Sequence, residues 1–242
     1  MIDTHCHLLP GLDDGPSSEA EAIRLAAGLA ENGVTFVLCT PHYSRRFTTD
    51  HAQALEREAA LGTELEGRGI GLRTTVAAEV SPERAVSAES EQLLARSIAS
   101  RFLLVELLPD TSPVSLGTIC DRLERLGLLP IFAHPERCRA LRRGHEALDE
   151  ARDRGALVQV VASSLGGRWG DEVAASAWHL VESGRADLLG SDAHHRRHRG
   201  ALLNAAELVS RHVGDRARWE LTENRPRLAL AGVHPSEAAS AR

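Results

Sequence analysis

Residues 33–42 read GVTFVLCTPH. Gly33 closes one helical pattern, and residues 34–40 are then β-branched or apolar almost throughout. A strand that lacks polar alternation is covered on both faces, which is the habit of parallel strands. His42 stands just beyond it, and a stretch rich in Ala, Glu and Leu follows at about residues 50–66 with helical spacing.

The same unit recurs along the chain. Residues 1–3, 72–78, 102–105, 128–133, 157–161 and 188–190 read as further strands, which makes seven in all. Helical spacing falls at residues 18–33, where Ser18-Glu19-Ala20-Glu21 reads as a capping box, and at about 115–126, 145–154, 171–183 and 202–212. Strands alternating with helices imply right-handed crossovers and a parallel sheet. Whether that sheet is open or closed into a barrel, the pattern alone leaves undecided. No shift in composition marks a boundary, so one domain is expected over residues 1–234, with residues 235–242 a small, polar, flexible tail.

The 242 residues carry 43% apolar and 26% charged side chains, enough for a large core in a folded protein. A net charge of −6 opposes a surface built for nucleic-acid phosphates. All 28 basic residues are arginine. Schiff-base catalysis and a carboxylated-lysine metal bridge are therefore both excluded. Cys6, Cys39, Cys120 and Cys138 have no CxxC spacing, so neither a disulfide framework nor a thiolate zinc site is suggested. With no leader-like segment and no apolar run of membrane-spanning length, the expected location is the cytoplasm.

Metal-ligating residue types gather at the same end of nearly every strand. His5, His7 and Asp14 follow the first, His42 the second, and Glu79 the third; Glu106, His134, and Asp192 with His194 follow the fourth, fifth and seventh. That carboxyl edge is where parallel α/β folds build their sites. Each residue taken singly has an ordinary reading as a loop carboxylate or a capping histidine, but convergence of nine is not an ordinary pattern. In an extended segment residues i and i+2 share a face, so His5 and His7 can share an ion while Cys6 turns away. The same holds for Asp192 and His194 around Ala193. Imidazoles and carboxylates without thiolate suit Mn²⁺, Fe²⁺ or Zn²⁺, and nine donors are too many for one tetrahedral ion.

These residues give the chain its resemblance to a known family. The stretches DTHCHLLPGLDDGP, CTPH, AAEV, VELLP, AHPERCRAL, SSLGGRWG and GSDAHH resemble the PHP (polymerase and histidinol phosphatase) superfamily, and more narrowly the bacterial CpsB/CapC-type manganese-dependent protein-tyrosine phosphatases. The resemblance implies a distorted (β/α)7 barrel with two or three ions, Mn²⁺ foremost. It implies His5, His7, Glu79 and Asp192 around one ion, Glu106 and His134 on a second, and Asp14, His42 and His194 on a third. It also implies phosphate-binding roles for Arg137 and Arg199, and a tyrosine-phosphorylated partner such as a bacterial tyrosine autokinase of capsule or exopolysaccharide synthesis. The basic run HHRRHRG leaves Arg196, Arg197 and Arg199 all open for the second of these roles, and PHYSRRF adds Arg45 and Arg46.

The expected reaction is phosphate-ester hydrolysis by a metal-bridged hydroxide. A cysteine phosphatase is the competing thought, because Cys39 and Arg45 have the CxxxxxR spacing; Pro41, His42 and Tyr43 crowd a loop that should be small. The same residues are compatible with a different PHP phosphoesterase acting on histidinol phosphate or nucleic acid, with an amidohydrolase-type metal hydrolase, and with a non-catalytic scaffold. Arg168 in GGRWG is a further candidate phosphate contact. His51, His145, His179, His198, His212 and His234 are expected at the surface.

Overall fold

The computed structural model describes residues 1–240, a mixed α/β fold whose paired strands are parallel. Nine strand segments form: β1 (Ile2–Cys6), β2 (Phe36–Cys39), β3 (His42–Tyr43), β4 (Arg73–Val76), β5 (Glu79–Val80), β6 (Phe102–Glu106), β7 (Leu129–Ala133), β8 (Leu157–Val161) and β9 (Leu188–Gly190). They form one sheet in the order β1-β2-β4 and another in the order β3-β5-β6-β7-β8-β9.

Two of the seven expected strands are thus each followed, after a break, by a further short strand that was not expected. Pro41 interrupts the second, because proline has no N–H to give a ladder, and the facing strand breaks at Ala77 and Ala78. The breaks stay in step: Ala77 N donates to Cys39 O at 2.9 Å, and Glu79 N to Pro41 O at 3.2 Å. Beyond β9, a parallel bridge joins Ala193 to Cys6. Asp192 N donates to His5 O at 2.8 Å and His7 N to Ala193 O at 3.0 Å.

Alternate strand residues separate into two apolar layers, as a period of two requires. Leu103, Val105, Phe132, Val158 and Val160 pack towards the helices. Phe102, Leu104, Ile131, Ala133, Leu157 and Leu188 form a second cluster on the opposite face. Each such fully buried Val, Leu, Ile or Phe contributes about 1.5–3 kcal/mol relative to exposure. One polar residue interrupts the second layer: Gln159, fully buried in the middle of β8.

Helices cover the strands where the spacing places them. Glu19–Glu31 starts at Ser18, whose hydroxyl accepts from Glu21 N, while the Glu21 carboxylate turns to Ser17 N at 2.8 Å in place of the reciprocal bond of a capping box. Pro113–Glu124, Glu146–Asp153, Asp171–Glu182 and Ala201–His212 lie within a few residues of expectation. Short helices at Pro82–Ser87, Ser90–Ala95 and Ala162–Leu165 follow strand ends and have no long period to reveal them. The segment expected to be a flexible tail forms the helix Pro235–Ser240, with Glu237 paired to Arg101 at 2.9 Å; residues 241 and 242 lie outside the described residues.

Close approach decides one glycine. A Cβ on Gly190 would stand 2.7 Å from His5 Cβ and 3.0 Å from the Gln159 amide carbon, so only glycine lets β9 pass beneath His5.

Candidate metal centre

All nine expected ligands gather at the carboxyl edge. Glu79, almost completely buried at the start of β5, is the centre of the group. Its Oε1 meets His134 Nε2 at 2.9 Å. Its Oε2 lies 3.3 Å from Nε2 of both His5 and His7 and 3.0 Å from His42 Nδ1, yet no partner approaches that oxygen with hydrogen-bond geometry. Asp192 Oδ1 is 3.6 Å from both of the same Nε2 atoms.

The far sides of the two imidazoles show what this gap needs. His5 Nδ1 is 2.8 Å from Gln159 Oε1. The amide is oriented by its own nitrogen, which donates to Thr4 Oγ1 at 2.8 Å and faces the Thr4 carbonyl at 3.4 Å, so Oε1 is the acceptor and His5 Nδ1 the donor. His7 Nδ1 likewise donates to the Asp13 carboxylate at 2.7 Å. Neutral rings in these tautomers aim two Nε2 lone pairs at each other across 3.3 Å, beside two carboxylate oxygens. Only a cation makes that arrangement favourable, and the anchoring of each distal nitrogen is the usual support of a metal-bound histidine.

Protons compete for the same place. Burial alone would lower His5, His7 and His42, but Glu79 holds all three above the ordinary imidazole value, with Asp13 adding most at His7. Burial would raise Glu79, yet the histidines, led by His5, hold it well below the carboxylate range. Glu106 moves upward through burial and the neighbouring Glu79 charge. Because a proton and a metal ion compete for the same imidazole nitrogens, and the neighbouring carboxylates favour the proton on His5, His7 and His42, metal uptake displaces protons and apparent affinity rises with pH. Calorimetric titration of the metal-free protein in buffers of different ionisation heat is expected to report that release. A heat independent of the buffer would contradict it.

Three donor groups are close enough to hold an ion: His5, His7 and Asp192; His7, Asp14, His42 and His194; and His42, Glu79 and Glu106. The second contains the expected Asp14, His42 and His194, with His7 added; the first has the expected His5, His7 and Asp192 but not Glu79, which falls in the third. The third groups Glu106 with His42 and Glu79, while His134 Nε2 meets Glu79 Oε1 at 2.9 Å. His134 and Asp192 themselves have left-handed backbones, with φ of 41° and 52°. Such a conformation costs a non-glycine residue of order 1–3 kcal/mol and collects at functional sites.

The arginines separate. Arg137 Nη2 stands 2.8 Å from Asp192 Oδ2 with its guanidinium 4.4 Å over Trp169, and its Nε has no acceptor among the described residues. Arg168 and Arg197 also line this cavity of about 360 Å³. Arg199 does not. Its side chain lies along the Glu19–Glu31 helix, where a Cβ on Gly28 would come within 2.5 Å of it, whereas Arg197 of the same loop lines the cavity. The turn at residues 196–198 puts positions 197 and 199 on different sides. His195 and the half-buried His198 line the cavity too, and His198 Nδ1 accepts from His194 N at 3.2 Å. Arg46 lies over Phe47, which stacks on His42. No contact of Arg45 with the cluster is seen among the described residues.

Cys6 and Cys39 are completely buried, and burial pushes both thiols well above their ordinary range. A buried, protonated thiol is inert, so Cys39→Ser is expected to keep turnover within about threefold. A large loss in protein that still holds its metal would restore the cysteine mechanism.

The family model for capsular polysaccharide synthesis CpsB/CapC matches residues 1–230. The chain belongs to the CpsB/CapC family. It is 31% identical over 232 residues to tyrosine-protein phosphatase YwqE of Bacillus subtilis, covering 93% of this chain and 89% of that protein. It is 31% identical over 205 residues to the putative tyrosine-protein phosphatase CapC of Staphylococcus aureus, covering 84% and 80%. Among solved structures, that of YwqE from Bacillus subtilis and CpsB from Streptococcus pneumoniae, described as unique metal-dependent tyrosine phosphatases, superposes with a TM-score of 0.84 at 28% identity, covering 96% of this chain and 95% of that one.

Sequence reasoning passed over the supports of this CpsB/CapC centre. Asp13, adjacent to the ligand candidate Asp14, has a buried carboxylate that accepts from His7 Nδ1, from Gly15 N at 2.9 Å and from His42 N at 3.0 Å. Burial would raise it, but His7 outweighs that and brings it down to about 2. Gln159 could have been found as the lone polar residue of LVQVV. Glu136, also buried, accepts from Val161 N and Ser164 Oγ and ties the HPER turn to the end of β8.

Proposed function

We propose that this chain is a metal-dependent phosphoric monoester hydrolase that removes phosphate from protein phosphotyrosine in the control of capsular or exopolysaccharide synthesis. The observation that carries the reading is the gap around Glu79 Oε2, where His5, His7 and His42 converge on one carboxylate oxygen without hydrogen-bond geometry. Family membership supports the substrate class, since the relatives are tyrosine phosphatases and the superposed structure is described as metal-dependent.

Two or three ions fit the donor groups; nitrogen and oxygen donors without thiolate suit Mn²⁺, Fe²⁺ or Zn²⁺ alike, and Mn²⁺ is put first on the resemblance to manganese-dependent phosphatases. His5, His7, Asp14, His42, Glu79, Glu106, His134, Asp192 and His194 are the residues that would hold them. The metal supplies Lewis-acid activation of water and of the phosphoryl oxygens. The chain's own contribution is positional. Gln159 and Asp13 fix the tautomers of His5 and His7, so that both Nε2 atoms point inward. Arg137, held between Asp192 and Trp169, offers a planar donor pair at the cavity wall for two phosphate oxygens, with Arg168 and Arg197 beside it. A phenol leaves with a pKa of about 10, so a tyrosine ester needs less acid assistance than an alkyl ester.

We further infer a single domain over residues 1–234 that is a closed, distorted (β/α)7 barrel. The Cys6–Ala193 bridge between the first and last strands, and the separation of strand side chains into two layers, support that closure. A tyrosine autokinase is the partner proposed. A cytoplasmic location is consistent with four buried, unpaired cysteines, and no helix among the described residues is long and apolar enough to cross a membrane.

Turnover of phosphotyrosine peptide, phosphoserine peptide, histidinol phosphate and single-stranded DNA by Mn²⁺-loaded protein tests the reading. Preference for the phosphotyrosine peptide is expected. Preference for histidinol phosphate or DNA would move the chain to another phosphoesterase activity, and hydrolysis of none would make it a scaffold.

A further inference from the structure

We infer that the cleft between the turn at residues 139–145 and the helix Asp171–Glu182 is a docking groove for an acidic stretch of polypeptide flanking the residue held at the metal centre. The inference rests on the phosphotyrosine reading for what lies in the centre, but not for the groove's own chemistry. The cleft measures about 830 Å³, more than twice the cavity over the ligands, which is room for several residues. Arg139, Arg142 and Arg143 line it together with His145 and His179; Glu172 is the acidic side chain among the described lining residues, with Asp110 beside Arg139 and Glu146 and Asp149 near His145. Such a local excess of positive charge is notable on a chain whose net charge is −6.

The arginines are available to an incoming anion. Arg143 is exposed and has no ion-pair partner among the described residues. Arg139 pairs with Asp110, and Arg142 with Glu172 at 3.2 Å, but the two carboxylate side chains are 79% and 86% exposed. Exposed pairs of this kind contribute little, so a ligand carboxylate can replace them at small cost. His145 Nε2, a buried ring nitrogen on the same wall, has no hydrogen-bond partner among the described residues.

The groove is also built on fixed backbone and linked to the centre through Arg137. Arg139 N donates to Pro109 O at 2.9 Å, Arg142 N to Cys138 O at 3.1 Å and Arg143 N to Ala140 O at 3.1 Å, so the three side chains come from a fixed turn. Arg142 Nη1 donates to Arg137 O at 3.1 Å, and Arg137 reaches Asp192. Arg137 therefore meets the groove's Arg142 with its carbonyl and the centre's Asp192 with its guanidinium. A nucleic acid would set a dense row of phosphates against the acidic remainder of the surface, whereas a short acidic peptide meets only the arginines.

Two measurements test this on the metal-loaded protein. Fluorescence anisotropy with an unphosphorylated peptide rich in Asp and Glu needs no turnover, and binding that weakens with salt is expected. In kinetics, a phosphotyrosine peptide with acidic flanks should show a KM about tenfold below one with Ser and Ala flanks, and R139E/R143E should erase that difference. Hydrolysis of p-nitrophenyl phosphate by R139E/R143E should be unchanged. Absence of peptide binding, equal KM values, or a loss shared with the small ester would overturn the groove. Displacement of the peptide by single-stranded DNA at equal charge concentration would overturn it in favour of nucleic acid. Salt-sensitive peptide binding without hydrolysis of either phosphopeptide would keep the groove and discard the phosphotyrosine reading.

Discussion

Replacing Glu79 with glutamine is expected to remove turnover by roughly 10³-fold or more, together with most of the bound metal. Metal ions contribute several kcal/mol of charge stabilisation to phosphoryl transfer, and each 1.36 kcal/mol is a factor of ten. Glu79 is the one carboxylate in contact with four histidines, taking His134 on Oε1 and facing His5, His7 and His42 with Oε2. Glutamine keeps the size of the side chain but loses the charge, and one of its two ends must carry hydrogens. If the amide faces the inner gap, its hydrogens stand where the cation belongs. If it faces His134, that ring must change its tautomer. Metal content by mass spectrometry, turnover, and far-ultraviolet circular dichroism separate loss of the centre from loss of the fold. Folded E79Q that keeps its metal and works within about tenfold of the wild type would sink the central place given to Glu79.

The second large effect falls on a residue that is not proposed to touch the metal. Asp13→Asn is expected to weaken metal affinity by roughly 10- to 100-fold, the range typical of carboxylates that orient a metal-bound histidine. The Asp13 carboxylate takes hydrogens on both oxygens: His7 Nδ1 and His42 N on Oδ2, Gly15 N on Oδ1. Asparagine fails in either orientation. With its amide towards Gly15 two donors collide; with its amide towards His7 the imidazole is driven into the tautomer whose Nε2 carries a hydrogen and cannot ligate. Titration of metal-free D13N with Mn²⁺ reads the loss. Unchanged affinity would mean that His7 finds its tautomer without Asp13.

How far the site could be read in advance depended on the residue. His5 and His7 were legible because a two-residue spacing on a strand is a geometric statement, and Glu79, Glu106, His134 and Asp192 because each closes an apolar run. The position of Arg199 could not be read in advance, because the direction of a side chain beside a three-residue turn follows from what the turn packs against, here the Gly28 surface of a helix far away in sequence. Asp13 and Asp14 are indistinguishable as letters. In the fold one is buried against His7 and the other is half-exposed beside His42 and His194.

The residues 33–42 illustrate the division. Their apolar run determined that a parallel strand covered on both faces lies there and that His42 follows its end. The break at Pro41, and the transfer of His42 and Glu79 to a separate pair of short strands, came from the tertiary structure, because strand partners are chosen by chain segments far apart in sequence. Alternation and composition are local properties, so the sequence by itself determined the α/β class, the parallel strands and the edge at which the ligands gather. Tautomers, ligand grouping and the side on which an arginine falls depend on contacts such as Gln159 with His5, 154 residues apart, and those exist only once the chain has closed on itself.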